Sequence, residues 1–280
     1  MVKLGAKVLK SRRSAGVVRE GTLEGVHIVV TRPARQAREL CALIEQQGGT
    51  AHPVPVLEIK GPRDPQAVED IAGRLGTFDT LVFISRNAVT CGLDVLTKEG
   101  GLPDGTRVAA VGRATAEALE RQGVAVDIEA APPYNSESLL AAASLHSLEG
   151  RRILIIRGEG GRELLADTLR ARGAHVEYAE VYRRACPSTS LAAALPAQVR
   201  TSIDAIVVTS SEGLANLWSM AGDKLQKWLR DRQLVLISER TAARAQALGF
   251  GPVPLVAREA SDRAIVEAVV AWRCARGHNA

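Results

Sequence analysis

Four stretches of this 280-residue chain return in the same order about 125 residues later. "IVVTRPARQAREL" (28–40) is echoed by "ILIIRGEGGREL" (153–164), which sets Arg32 against Arg157. "GGTAHPVPVLEI" (48–59) resembles "RGAHVEYAEVYR" (172–183). "LVFISRNAVTCGL" (81–93) resembles "IVVTSSEGLANL" (206–217), with Ser85 against Ser210. "VAAVGRATAEAL" (108–119) resembles "LVLISERTAARA" (234–245), with Thr115 against Thr241. A period this long means two similar domains rather than a solenoid.

Within each half, short β-rich runs alternate with helical runs. Strands are expected near 27–31, 51–58, 79–84, 106–111, 125–129, 152–156, 175–182, 204–209, 234–238 and 253–257. Helices lie between them, among them 35–47, 87–98, 136–147, 161–172 and 240–248. Gly48, Gly123 and Gly173 fall where helices need a left-handed cap. The alternation predicts an α/β fold whose parallel sheets are covered on both faces, ten strands making two sheets of five. "HPVPVLEI" (52–59) carries two prolines in an extended run, which suits an edge strand, and its counterpart closes on Pro187. The chain is expected to cross between domains at these two places. The expected division is a disordered basic tail at 1–20, a discontinuous domain of 21–58 plus 184–280, and a second domain of 59–183.

Ligands of open parallel sheets sit beyond the carboxyl ends of the strands, at the topological switch point. In a flavodoxin-like order that point lies between the first and third strands. Those strands end at Arg32 and Ser210 in one domain and at Arg157 and Ser85 in the other. Each arginine is therefore expected outside the buried strand, on the rim. A cation, a hydroxyl and helix N-termini together suit anions, and two such rims facing one another would clasp a large, multiply negative ligand. Asn87, Gly158 and Ser211 lie beside these positions and join the candidates. Structural readings stand beside the functional ones. Arg32 and Arg157 can pair with nearby acids such as Glu58 or Glu159, and the serines and threonines can be helix caps. No GxSxG surrounds the serines, and "RGEGG" is neither GxGxxG nor a Walker A loop, so serine hydrolysis and nucleotide binding are not indicated.

Composition narrows the class further. The apolar fraction of 46% is enough for real cores. No apolar run approaches the roughly 20 residues that span a bilayer, and no signal-type apolar segment opens the chain. The net charge of +5 resides wholly in residues 1–20, where six Lys and Arg face Glu20 alone. The body is formally neutral, which argues against a nucleic-acid partner. Cys41, Cys91, Cys186 and Cys274 stand far apart and read as reduced thiols of a cytoplasmic protein. The five histidines show no metal-ligand spacing, so no metal is expected. Tyr182, one of three tyrosines, lies at the expected return crossing. A phenol is protonated at neutral pH and can donate a hydrogen bond or a proton. The structural alternative is a ring packed against the linker.

Taken in order and spacing, "VVTRP" (29–33), "FISRNAV" (83–89), "AAVGRATAEAL" (109–119), "YNSESLL" (134–140), the run 154–184, "VVTSSEGLANL" (207–217) and "LISERTAARAQALGF" (236–250) resemble the uroporphyrinogen-III synthase family over roughly 22–275. The resemblance implies two flavodoxin-like domains joined by a two-stranded linker. It implies a substrate, hydroxymethylbilane, a linear tetrapyrrole with eight carboxylates. It also implies a cofactor-independent lyase reaction that closes the macrocycle with inversion of ring D, through an azafulvenium and a spiro intermediate. Tyr182 takes the place of the family's candidate acid, and Thr115 that of its "GRAT" threonine. Ser238 replaces a family glycine, which puts close backbone approach there in question. Arg32, Ser85, Asn87, Thr115, Arg157, Gly158, Ser210, Ser211, Ser238 and Thr241 are the substrate-binding candidates. The partner is a small molecule, with neither nucleic acid nor membrane. The expectation is a monomer, in at most transient contact with the upstream bilane-forming enzyme. The rival is a two-lobed module that binds or senses an anionic small molecule without catalysis. The missing secretory signal and the shortness of the tail count against its periplasmic and repressor forms.

Overall fold

The computed structural model describes residues 22–97 and 100–277, so the basic tail 1–20 lies outside the described residues. The chain begins with β1 (His27–Val30), α1 (Ala34–Gln46), β2 (Thr50–Pro53), β3 (Glu58–Lys60), α2 (Pro65–Ala72), β4 (Thr80–Phe83) and α3 (Arg86–Leu96). It continues with β5 (Arg107–Ala110), α4 (Arg113–Glu120), β6 (Ile128–Glu129), α5 (Ser136–Leu140), β7 (Arg152–Gly158), α6 (Leu164–Ala171) and β8 (His175–Ala185). Then come α7 (Leu191–Ala194), α8 (Ala197–Arg200), β9 (Ile203–Val208), α9 (Ser211–Arg230), β10 (Gln233–Leu236), α10 (Glu239–Ala247), β11 (Leu255–Val256) and α11 (Asp262–Gly277). Two compact units result. One takes the chain up to Glu58 and from Cys186 onward, the other Ile59–Ala185.

The first unit holds a parallel sheet in the order β11-β10-β9-β1-β2. Its central strands are apolar on both faces because helices cover both. Ile28, Val30, Ala205, Val207 and Val235 share one core with Leu40, Ile44 and Ile265 of α1 and α11. Val29, Ile206, Val208, Leu234 and Leu236 share another with Leu214, Leu217 and Ala245 of α9 and α10. Alternate side chains leave a strand on opposite faces, so one run of valines and isoleucines builds two cores.

The second unit holds a sheet in the order β3-β8-β7-β4-β5-β6, six strands rather than the five expected. The pairs from β8 to β6 are parallel. The sixth strand arises because the expected run 51–58 divides into β2 and β3. Pro53 and Pro55 lack an N–H, so only alternate residues bond: Val54 N donates to Val30 O at 2.9 Å and Val56 N to Thr31 O at 3.1 Å. Beyond them β3 joins the edge of β8. The expected helix 136–147 also breaks, into α5 and a 3-10 turn at Ala143–Leu145. Arg172 Nη1 takes up the carbonyls of Leu140 and Leu145, each at 2.7 Å. Gly48, Gly123 and Gly173 take φ of 82°, 77° and 89°, the left-handed caps their helices need.

Candidate functional site

In the second unit, β4, β7 and β8 bring three distant candidates together at their carboxyl ends. Ser85 ends the loop after β4 and caps α3, its Oγ accepting from Ala88 N at 3.1 Å. Such a cap is worth about 1 kcal/mol. Gly92 lets α3 lie close on β7, because a Cβ there would come within 2.7 Å of Ile156 Cγ2. The seat of Ser85 is thereby fixed. Tyr182, in the last turn of the pleat of β8, is 8% exposed, and its phenol oxygen lies 3.1 Å from Ser85 Oγ. A register shift between Arg157 and Gly158 sets Gly158 opposite Tyr182, and Glu159 N donates to Tyr182 O at 2.8 Å. The Tyr182 ring covers Gly158 so closely that a Cβ there would be 2.6 Å from Cε2 and Cζ. Glycine is needed here for space.

Arg157 corrects an expectation. It was placed beyond its strand, on an open rim; β7 in fact runs to Gly158, and Arg157 is 3% exposed. Strand alternation turns it to the face opposite Ile156. There Nη1 meets Glu163 at 3.1 Å, Nε donates to Gly158 O at 3.2 Å, and the guanidinium lies 4.5 Å from the Tyr178 ring centre. Glu180 stands 3.8 Å away. The paired acids are thus Glu163 and Glu180, while Glu159 pairs with Arg63. Hydrogen bonds from the Tyr178 hydroxyl and then Arg157 hold the Glu163 carboxyl below its usual range. Burial, and next the Glu163 hydrogen bond, push the Tyr178 phenol up. The cluster anchors the glycine-rich loop after β7.

Asn87 is half-buried in the first turn of α3, and Thr115 is buried in the first turn of α4. Neither side chain is hydrogen-bonded to Ser85 or Tyr182. Gly112, which caps α4, is approached by Tyr134, whose Cβ would lie 3.2 Å from an added Cβ.

The first unit carries its own group of hydroxyls, where β9 and β10 end. Ser210 caps α9, its Oγ accepting from Gly213 N at 2.9 Å. Ser211 Oγ lies 3.0 Å from Thr241 Oγ1, which lies 2.9 Å from Ser238 Oγ. Ser238 also caps α10, and its φ of −153° is extended backbone open to any residue, so the serine sits there without strain. Arg32 follows β1, outside the strand as expected, and its guanidinium is bonded to Asp262 at the start of α11. Asn216 Nδ2 donates to Val56 O at 2.9 Å and ties α9 to the proline-flanked segment. Sequence reasoning missed Asn216 and also Arg240 and Arg244, which with Ser211 line a shallow pocket. Their four-residue spacing on a helix was the available signal. Among the described residues, no group of three or more His, Cys, Asp or Glu is placed to hold a metal. No helix among them is long and apolar enough to cross a membrane.

A family model described as Uroporphyrinogen-III synthase HemD matches residues 38–267. The chain belongs to the uroporphyrinogen-III synthase family. The uroporphyrinogen-III synthase of Escherichia coli (strain K12) is 35% identical over 249 residues, covering 86% of this chain and 99% of that protein. That of Salmonella typhimurium is 33% identical over 245 residues, covering 86% and 99%. The crystal structure of uroporphyrinogen-III synthetase from Helicobacter pylori 26695 superposes with a TM-score of 0.54 at 17% identity, over 88% of this chain and 99% of that one. At that identity the likeness shows the α/β fold alone.

Proposed function

We propose that the chain closes hydroxymethylbilane into uroporphyrinogen III, with inversion of ring D and loss of one water. The observation that carries this is the family match over residues 38–267, with relatives at 33% and 35% identity along nearly their whole length. The reaction needs neither metal nor cofactor. The terminal C–O bond breaks and the carbon it frees bonds to the substituted carbon of ring D, giving the spiro intermediate. The bond from that ring carbon to the methylene of ring C then breaks, the methylene bonds to the free α-carbon of ring D, and that carbon loses a proton. The protein supplies a proton to the leaving hydroxyl, and the proton released on closure restores the donor. Tyr182 is our candidate donor. Its support is a phenol at a strand end, held by Ser85 at 3.1 Å and by the packing of its ring on Gly158. A positioned acid of this kind contributes about 10²–10⁴-fold. Closure without inversion is chemically easy, so the larger task is geometric. Ser85, Ser210, Ser211, Ser238, Thr241, Thr115 and Asn87 are our candidates for holding the acetates and propionates. Arg32 and Gly158 stay in the proposal as neighbours that shape the rims, and Arg157 as the anchor of the loop after β7.

The same reading describes the two units as flavodoxin-like domains joined by a two-stranded linker, in a cytoplasmic monomer. For the domains and their linker the support is the order β11-β10-β9-β1-β2, the adjacency of β3 and β8, and the two points where the chain passes between units. The test is incubation with enzymatically made hydroxymethylbilane, followed by oxidation and isomer analysis. Type III product is expected. Spontaneous type I alone would leave a binding module without catalysis.

A further inference from the structure

Arg240 and Arg244 lie four residues apart on α10, within about 40° of each other on one exposed stripe. Glu239 lies about 100° round the helix from Arg240, off that stripe. With Ser211 the two arginines line the shallow pocket where β9 and β10 end. Neither guanidinium has an ion-pair partner among the described residues. The third wall makes this more than two surface cations. Ser211, Thr241 and Ser238 carry three hydroxyl protons, and their two oxygen–oxygen links use two of them. When the two links run head to tail, the hydroxyl at the start or the end of the chain keeps a proton for an outside acceptor. Ser238 Oγ also receives Thr241 N at 3.3 Å, so as acceptor there it can point its own proton at Thr241. Thr241 then donates to Ser211, and Ser211 donates into the pocket. An anion beside Ser211 selects that direction.

We propose that Arg240, Arg244 and Ser211 hold one side-chain carboxylate of the linear tetrapyrrole. Two guanidinium forks and a polarised hydroxyl match the planar, two-oxygen geometry of a carboxylate. The assignment rests on the tetrapyrrole reading above and adds two residues to it.

The experiment measures steady-state kinetics and product isomer for the full chain and for R240A/R244A and R240K/R244K, at low and high salt. Both side chains are exposed and alanine favours helix, so the alanine variant should keep its Tm. KM should rise about tenfold in R240A/R244A while kcat stays within about twofold and the product stays type III. The lysine variant should fall between, since it keeps charge but not the fork. The KM ratio should shrink at high salt. A folded R240A/R244A with wild-type KM, while both proteins form type III, overturns the carboxylate site alone. Unmutated protein giving only type I overturns the underlying reading instead.

Discussion

One added methyl group at Gly158 tests whether the seat of the Tyr182 ring matters to the reaction. A Cβ there meets Cε2 and Cζ at 2.6 Å and Cδ2 at 3.1 Å. Ordinary carbon contact begins near 3.4 Å, so the ring must retreat by roughly 0.8 Å. It has little room, because it is 8% exposed and belongs to the buried core that also holds Phe83, Val181 and Ile156. Overpacking of this kind costs about 1–3 kcal/mol. The phenol is tied to Ser85 by the 3.1 Å link, and a shift of that size strains or breaks it, at a further cost of up to about 1 kcal/mol. Gly158→Ala should therefore lower Tm by roughly 5–10 °C. Its kcat should fall by about tenfold or more, with KM little changed. Differential scanning calorimetry and a stopped assay for type III product read these out. Gly158→Ala/Tyr182→Phe should have the kcat of Tyr182→Phe alone, because both changes act through one hydroxyl. A folded Gly158→Ala protein with wild-type kcat would refute the reasoning. Multiplying losses in the double variant would refute the shared route.

Tyr182→Phe should itself lower kcat by about 10²-fold or less and keep type III product, and a folded variant at wild-type kcat removes the acid role. Arg157→Ala should cost about 1–3 kcal/mol in a melt, through lost packing and pairing, with KM within about twofold. A large rise in KM at unchanged Tm would instead make Arg157 a substrate ligand. Burial, and then the neighbouring His27, hold His52 below the ordinary imidazole value. The unfolded chain then binds the proton first, so the contribution of His52 is full above about pH 6.5 and is lost as pH falls through the folded value. Melts from pH 8 to 5 should show that loss, and His52→Gln should flatten it; parallel curves would clear His52 of the effect.

The α/β class was legible because it rests on local periodicity. Val29 and Val30, Ile155 and Ile156, and Val207 and Val208 form short apolar runs bounded by turn residues, and only sheets covered on both faces bury such runs. The repeat displayed the pairing logic as well, since Arg32 with Ser210 and Arg157 with Ser85 marked neighbouring strand ends. Tyr182 and the hydroxyls were legible as residue types at strand ends. What escaped was set by partners far along the chain. The split of 51–58 depended on which carbonyls at and just beyond the end of β1 faced Val54 and Val56. The site of Arg157 depended on where β7 stopped against β8, and the shift beyond it decided that Gly158 rather than Arg157 lies opposite Tyr182. Neither Ser85 nor Tyr182 carries any local sign of the other, 97 residues away. A local pattern says which face of a strand is apolar. Register between distant strands says which side chains meet, and a slip of one residue turns every side chain to the other face. Only the tertiary structure could place the Tyr182 phenol against Ser85 and turn the Arg157 guanidinium inward to Glu163.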